Sequence, residues 1–287
     1  MRLGTPESYF VADVRSPAMS GTLYLIAVPI GNLGDITLRA LDTLRGVDLV
    51  AVEDTRHFAT LARAHTIRAR TVSLHEHNEE GRVAELLARL RAGEDIALVS
   101  DPGYRLVTAA LAEGLAVTSL PGPSAITTAL AAGGLPPVPF LFCGFAPRAA
   151  GPRRAFYAAI ARETATLVVF EAPHRLLDSV RDARAALGNR TGCLARNLTK
   201  PHERYQRGTL DELIAALSDE EVVRGECTLL IAGADAVADA DLEAGKRAAE
   251  VLLGEGAPPR AVVAMLTSVM GLSRRRAYEL AHPRRAP

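Results

Sequence analysis

The residues best suited to chemistry come directly after short apolar runs. The first run is followed by Pro29-Ile30-Gly31-Asn32, and the next run ends at Glu53-Asp54-Thr55-Arg56. In an open α/β sheet, ligands bind just beyond the carboxyl ends of the strands, so the spacing predicts a ligand site there. Neither GxGxxG nor GxxxxGK[ST] occurs in the chain. A ligand without a pyrophosphate is therefore favoured over NAD or ATP.

Two of these segments can be interpreted in more than one way. Asp54 could act in catalysis, or it could cap the following helix beside an ion pair. Pro121-Gly122-Pro123-Ser124 follows a strand and opens a helix, whose free N–H groups could accept a carboxylate; a rigid turn with Ser124 as the cap is the alternative. His75-Glu76-His77 invites a metal interpretation, but no third convergent ligand is evident, so we expect no metal.

Alternating strand-like and helical patterns must position these residues, and they predict an α/β protein with two domains. We expect a disordered extension over residues 1–20, α/β domains over 21–135 and 138–235, and a helical appendage over 240–287. The proline-rich segment 135–139 is the predicted boundary. Helices are predicted with Asp35 or Thr37 and with Thr209 as N-caps. Residues 196–205 are polar and basic, and no strand is predicted there.

The last two predicted helices, 258–270 and 274–281, are joined by Gly-Leu-Ser and resemble a helix-turn-helix hairpin. Positive charge concentrates in the second, at Arg274, Arg275 and Arg276, with Arg284 and Arg285 behind it. Arginine suits bidentate phosphate binding, although a plain solvated helix face would show the same pattern.

The amino-acid composition argues against several classes of protein. The 287 residues are 48% hydrophobic and 23% charged with zero net charge, so nucleic-acid binding would need a local patch. No apolar run reaches the roughly 18 residues that a membrane helix needs, and residues 1–18 lack the apolar core of a secretory signal. The three cysteines are far apart in apolar runs, which favours buried free thiols in a reducing cytoplasm.

Six segments, in this order and at this spacing, carry a resemblance to the tetrapyrrole-methylase superfamily of S-adenosylmethionine-dependent methyltransferases. They are Val28–Thr37, Glu53–Arg56, Ser73–Glu79, Leu120–Ala125, Phe170–Arg175 and Ala195–Lys200. The match extends from Gly21 to Leu280. Within the superfamily, the chain is most similar to the group that methylates the ribose 2′-oxygen of a cytidine in 16S rRNA.

The resemblance implies two α/β domains with S-adenosylmethionine in the cleft between them, a homodimer, no metal, and the 30S ribosomal subunit as partner. The implied cofactor-binding residues are Pro29, Asp101, Gly103, Pro121, Gly122, Pro123, Ser124, Glu171, Ala195 and Glu226. The implied RNA-binding residues are Arg56, His75, His77, His174, Arg175, Arg196, Arg274, Arg275 and Arg276. Glu53, Asp54 and Lys200 are the candidate catalytic residues, with Glu53 or Asp54 orienting the ribose hydroxyl and Lys200 facing a developing alkoxide.

The chain departs from the family pattern after Ser100, where about eight residues of a cofactor-lining loop are missing and Asp101 passes directly into Pro102-Gly103. Asn197 also replaces a glutamate usual in the family, and Cys227 an aromatic residue. Two rival functions therefore stay open. One is a precorrin-type tetrapyrrole methyltransferase, and the other is a non-catalytic RNA- or ribosome-binding protein that lost its cofactor with the shortened loop.

Overall fold

The computed structural model describes residues 20–282, except 76–77, 100–103, 221, 223–224, 235–238 and 273. The side chains of residues 79, 239–243 and 275 are also outside the description. The chain divides into two compact units, Met1–Ala125 and Ile126–Pro287. The predicted α/β class is confirmed.

The first unit is built on a parallel sheet of five strands in the order β3-β2-β4-β1-β5. The strands are β1 (Thr22–Ile26), β2 (Leu49–Val52), β3 (Arg70–Ser73), β4 (Ile96–Val99) and β5 (Ala116–Leu120). The helices between them are α1 (Leu38–Gly46), α2 (Thr55–Ala64), α3 (Glu79–Arg91) and α4 (Tyr104–Ala112).

Strands β2 and β4 are buried at every position, which explains why they appear in the sequence as continuous apolar runs rather than as alternating ones. Successive side chains point to opposite faces of a sheet. Val50 accordingly packs in one cluster with Phe58 of α2, while Ala51 packs in a second cluster with Leu86 of α3. Helices therefore cover both faces of the first sheet and leave its carboxyl edge for other uses.

Local capping chemistry fixes where several helices begin. The Thr37 hydroxyl accepts from the Ala40 N–H at 3.1 Å and caps α1, which selects Thr37 over Asp35. Asp54 caps α2. Thr209 and Glu212 form the predicted capping box of α8 (Leu210–Ser218). These signals lie within a few residues of one another, so they can be recognised without knowledge of the tertiary structure.

The second unit carries a mixed sheet in the order β6-β7-β10-β8-β9, in which only β6 and β7 are parallel neighbours. Its strands are β6 (Phe140–Phe145), β7 (Thr166–Glu171), β8 (Thr191–Arg196), β9 (Arg204–Thr209) and β10 (Cys227–Ile231). Helices α6 (Ala150–Ala159), α7 (Leu176–Leu187) and α8 cover one face, where Tyr157, Val180 and Leu213 pack against Leu194 and Leu229.

Helix α5 (Ala125–Gly133) packs against the other face of this sheet. A side chain at Gly133 would collide with Leu230 of β10, and Arg207 of β9 donates to the Gly133 carbonyl at 3.2 Å. The division between the units falls after Ala125, the first residue of α5, and the proline-rich segment predicted as the boundary follows this helix.

Strand β9 (Arg204–Thr209) was not predicted from the sequence, in which residues 196–205 stood out only as polar and basic. It pairs antiparallel with β8 along its whole length, from Arg204 opposite Arg196 to Thr209 opposite Thr191. Because β9 is an edge strand, charged side chains are compatible with it and even protect it from unwanted pairing. A strand of this kind lacks the apolar run by which strands were predicted.

Three helices form a small core of their own at the end of the chain. They are α9 (Asp239–Gly254), α10 (Pro259–Ser268) and α11 (Arg274–Ala281), and they enclose Ala249, Val262, Leu266, Leu272 and Ala277. The predicted hairpin of two short helices is present. Within the described residues, no helix has the length and hydropathy needed to cross a bilayer.

Candidate functional site

The parallel first sheet gathers most of the predicted first-unit residues at one edge. Because all five strands run in the same direction, the segments that follow them meet at the carboxyl edge. The residues brought there are Pro29, Glu53, Asp54, Arg56, His75, Pro121, Gly122, Pro123 and Ser124. Asp101, Gly103 and His77 were predicted for the same edge and lie outside the described residues.

The loops after β1 and β5 contact each other through Gly122. A Cβ atom added there would lie 2.9 Å from the Ala27 Cβ and 3.0 Å from the Ala27 carbonyl oxygen, so no larger residue fits without a shift. On the β1 side, the Asn32 side chain accepts from the Gly34 N–H at 3.0 Å and forms a tight turn. This part of the edge therefore presents small, uncharged residues and main-chain groups to a ligand.

The two carboxylates after β2 have different surroundings. Asp54 accepts from the N–H groups of Arg56 at 2.7 Å and His57 at 3.4 Å. The Arg56 N–H bond is the main reason why the pKa of Asp54 is lowered, so this carboxylate is ionised and committed to the cap of α2. Glu53 is exposed and takes no part in the cap. Of the pair, Glu53 is the better placed to contact a substrate.

The turn after β3 is held by Asn78. Its side-chain oxygen accepts from the His75 N–H at 2.9 Å, and its amide donates to the Ser73 carbonyl at 3.2 Å. The turn places half-buried His75 at the carboxyl edge. Among the described residues, no group of three or more His, Cys, Asp or Glu side chains could hold a metal ion.

The second sheet gathers the other predicted residues at one of its edges. Cys227, the first residue of β10, is opposite Glu171 on β7 and opposite Arg196 on β8. The ends of β7 and β8 therefore lie beside the start of β10. The predicted residues at this edge are Glu171, His174, Arg175, Ala195, Arg196, Lys200 and Glu226.

Glu171, predicted as a cofactor ligand, lies in a buried ion pair. Only 2% of the residue is exposed. Its Oε1 contacts Nη2 of Arg175 at 2.6 Å and accepts from the Ala172 N–H at 2.8 Å. These contacts fix the turn that presents exposed His174. Glu171 and Arg175 thus have a clear structural task, which the sequence pattern did not distinguish from ligand binding.

Arg196, predicted to bind RNA, is also buried and paired. Its Nη1 lies 2.7 Å from both carboxylate oxygens of Glu220, and 6% of the residue is exposed. The structure therefore places Arg196 in a largely buried ion pair. Its neighbour Ala195 is fully buried and can offer a ligand little besides main-chain atoms. Burial of this kind depends on Glu220, twenty-four residues away, and could not be inferred locally.

The loop between β8 and β9 concentrates backbone strain. Asn197, Thr199 and His202 adopt φ angles of 53°, 63° and 68°, a region that residues other than glycine rarely occupy. Such strain persists only where the surroundings impose it, and it clusters at functional sites. In this loop, Lys200 Nζ contacts Glu226 Oε1 at 2.7 Å. The strained loop therefore holds the one lysine that was predicted to act in catalysis.

The C-terminal helices carry a basic surface. Arg274 and Arg276 are exposed on α11, while the side chain of Arg275 lies outside the described residues. Arg274 and Arg260 of α10 line one pocket together with Thr267 and Leu272. Two guanidinium groups beside one concavity suit contact with phosphate. Arg260 was not singled out from the sequence, because it lies on the other helix of the hairpin.

The two α/β units, with their site residues at strand ends, define a methylase of a known class. Residues 22–214 match the family model of the tetrapyrrole (corrin/porphyrin) methylases. Solved structures agree with this fold. A diphthine synthase superposes with a TM-score of 0.58 at 16% identity, covering 74% of this chain and 90% of that one. A cobalt precorrin-4 methyltransferase superposes with a TM-score of 0.56 at 19% identity, covering 74% and 94%.

Relatives with similar sequences indicate which family within this class the chain belongs to. A ribosomal RNA small subunit methyltransferase I from Micromonospora olivasterospora is 48% identical over 91% of this chain and 87% of its own length. The protein of the same name from Escherichia coli O157:H7 is 42% identical over 91% and 94%. The chain belongs to the tetrapyrrole methylases and, among them, to the ribosomal RNA small subunit methyltransferase I family.

Proposed function

We propose that this protein transfers a methyl group from S-adenosylmethionine to the ribose 2′-oxygen of a cytidine in 16S rRNA. The observation that carries the proposal is the similarity over 91% of the chain, at 48% identity, to a relative named for methylation of small-subunit ribosomal RNA. The cofactor, the cytidine and the 2′-oxygen go beyond that name. They follow from the resemblance of the six segments and from the chemistry of the two strand edges.

The carboxyl edge of the first sheet suits S-adenosylmethionine. This cofactor supplies an electrophilic methyl group on a sulfonium sulfur and has no phosphate that would require a charged clamp. Pro29 and residues 121–123 offer main-chain groups and small side chains, and the close contact at Gly122 fixes their spacing. We assign cofactor binding to this edge, with Ser124 and the start of α5 as candidates for the methionine carboxylate.

Methyl transfer requires the 2′-hydroxyl to be positioned and its proton to pass to solvent. The exposed carboxylate of Glu53 can accept a hydrogen bond from that hydroxyl and orient it. The Lys200 ammonium, held by Glu226 in the strained loop, can stabilise the negative charge that develops on oxygen. Asp54 stays with the helix cap and serves the reaction by fixing the turn that carries Glu53.

The test is methylation of 30S subunits that lack this modification. Purified protein and methyl-labelled S-adenosylmethionine should label 16S rRNA, and the labelled nucleotide should resist alkaline cleavage because its 2′-oxygen is blocked. Glu53→Gln and Lys200→Met should each lower the rate at least tenfold. Glu113→Gln, an exposed carboxylate paired with Arg91, is the matched control and should leave the rate unchanged.

Calorimetric titration with S-adenosylhomocysteine separates the rival functions. Saturable binding supports an intact cofactor site despite the short loop after Ser100. Failure of a folded protein to bind, together with unlabelled 30S, would favour the non-catalytic RNA-binding function. Labelling of a tetrapyrrole but not of 30S would favour the precorrin-type activity.

We also infer that the protein acts as a homodimer in the cytoplasm, where its ribosomal substrate is found. Sedimentation equilibrium over a range of protein concentrations tests the oligomeric state. A species with the 30.5 kDa mass of one chain at all concentrations would contradict the inference.

A further inference from the structure

Four of the seven phenylalanines of the chain lie together on β6 and β7. The ring centroids of Phe142 and Phe145 lie 4.9 and 5.4 Å from that of Phe170, and both pairs are edge to face. Phe140 and Phe142 are about two-fifths exposed, and Phe145 is 67% exposed. We call Phe142, Phe145 and Phe170 the phenylalanine platform. None of these residues has a role in the site described above.

A break in strand β6 is what keeps Phe145 on the platform. Leu141 and Cys143 pack on the helix-covered face of the sheet, so Phe142 points to the opposite face. Simple alternation would place Phe145 on the helix-covered face, because it comes three positions after Phe142. The register with β7 instead shifts between Phe142 and Phe145, and Gly144 adopts a φ of 69°. A bulge of this kind re-aims a side chain.

The surroundings of the platform are cationic. No Asp or Glu occurs in the sequence between Glu113 and Glu163, and of the four arginines there, Arg153 is buried in an ion pair with Asp182. Arg148 is exposed and comes three positions after Phe145, so their Cα atoms are at most about 11 Å apart. At the same edge, exposed His174 follows Phe170, and the intervening carboxylate of Glu171 is buried and paired. The platform therefore combines exposed rings with the nearby exposed Arg148 and His174, while the exposed carboxylate of Glu226 at the same edge is paired with Lys200.

We propose that the phenylalanine platform stacks an unpaired base of the RNA, with Phe145 against the base and Arg148 against the neighbouring phosphate. The inference rests on the proposed function and deepens it, since it names single-stranded RNA as the form that the second unit recognises. Unpaired bases stack on aromatic side chains displayed by a sheet, while basic residues hold the backbone.

A second copy of this chain fits the platform less well. Contact between two copies about a twofold axis would bring each platform, with its own Arg148, against the same surface of the partner. That arrangement would bring like charges together in one interface, and the exposed acid at this edge, Glu226, is already paired with Lys200. RNA supplies both the flat apolar surface and the negative charge that the patch lacks.

The absence of tryptophan from the chain allows a direct test. Phe145→Trp places a fluorophore on the platform, and Leu111→Trp places one at a comparably exposed position, 59% exposed, on α4 of the other unit. A single-stranded RNA of about ten nucleotides should quench the first variant and leave the second unchanged. Abasic RNA of the same length should not quench, because it carries phosphates without bases.

Alanine substitution gives the size of the effect. Phe145→Ala should weaken binding of the single-stranded RNA by about fivefold to a hundredfold, the range expected for loss of one base stack. Phe145→Tyr should restore it, and Leu111→Ala should have no effect. Because Phe145 is mostly exposed and loses only its contact with Phe170, the midpoint of thermal unfolding should fall by no more than a few degrees, which excludes misfolding as the cause.

Four results would overturn the inference. Equal quenching by abasic RNA would show that only phosphate contacts matter. A blue shift of Phe145→Trp emission that grows with protein concentration, in the absence of RNA, would show that a second copy covers the platform. Quenching by a porphyrin but not by RNA would indicate a macrocycle site. If wild-type protein methylates 30S subunits and Phe145→Ala does so equally well, the inference fails while the proposed function stands. If wild-type protein does not methylate 30S at all, the proposed function fails first.

Discussion

Removal of Arg175 should destabilise the second unit strongly, because it leaves the buried Glu171 carboxylate without its cation. The two charges contact at 2.6 Å, and the Glu171 side chain is 0% exposed against 15% for Arg175. With charge centres about 4 Å apart and an effective dielectric constant near 20, their attraction is about 4 kcal/mol. Loss of one partner of a buried pair typically costs about 3–5 kcal/mol. Since whole domains are stable by about 5–15 kcal/mol, the effect should be easy to measure.

Chemical denaturation of a double-mutant cycle tests this reasoning. Arg175→Met should lower the free energy of unfolding more than Glu171→Gln, because the arginine left behind in the latter retains some access to water. The double variant should be about 1–3 kcal/mol more stable than the sum of the single effects predicts, since neither charge is then left unpaired. Glu113→Gln, which breaks an exposed ion pair with Arg91, should barely move the midpoint. Additive single effects, each below about 1 kcal/mol, would refute the view that this pair is buried and coupled.

Three further results are expected. Gly122→Ala should weaken binding of S-adenosylhomocysteine at least tenfold, measured by calorimetry, because a Cβ has no room there. Gly81→Ala, in an open position on α3, should leave the affinity unchanged. Equal affinities of the two variants would show that the contact between the loops after β1 and β5 is not part of the cofactor site. Alanine at all three arginines of residues 274–276 should reduce the log–log salt slope of RNA binding by about 2, and an unchanged slope would exclude the C-terminal helices from the RNA surface. Burial raises the pKa of the Cys227 thiol from 9.0 to about 11, so the thiol stays neutral in the folded protein at pH values where it ionises in the unfolded chain. The stabilisation from burying the neutral thiol should therefore be fully present below pH 9, and the free energy of unfolding should fall by up to about 3 kcal/mol between pH 9 and 11. Cys227→Ala should reduce that fall, as measured by urea titrations at each pH. An identical fall in the variant would contradict the assignment.

Structural features that are determined by residues close together in the sequence could be predicted from it. Features that are determined by contacts with residues far away in the sequence could not. The caps at Thr37 and Thr209 and the runs of β2 and β4 follow from local chemistry and were predicted. The grouping of Glu53, His75 and Gly122 at one edge was also predictable, because parallel strands must end together.

Distant partners decide the rest. Glu220 turns Arg196 from a surface cation into an internal one. Strand β9 exists because β8 offers it an edge, and its own sequence has too few apolar residues to indicate a strand. The bulge that exposes Phe145 depends on pairing with β7, so the phenylalanine platform was not visible in the sequence.

The position of β10 has a consequence for how the chain is made. It is the last strand in sequence, at Cys227–Ile231, yet it occupies the centre of the second sheet between β7 and β8. During synthesis, β6 and β7 therefore have no bridge to β8 and β9 until residue 231 has been made. The first sheet is complete once β5 ends at Leu120. Since domains generally fold as units from the amino terminus, the first unit should fold while the parallel pair β6–β7 and the hairpin β8–β9 of the second unit are still unconnected. A ribosome that stalls before residue 227 would carry a finished first unit and a second one that cannot close.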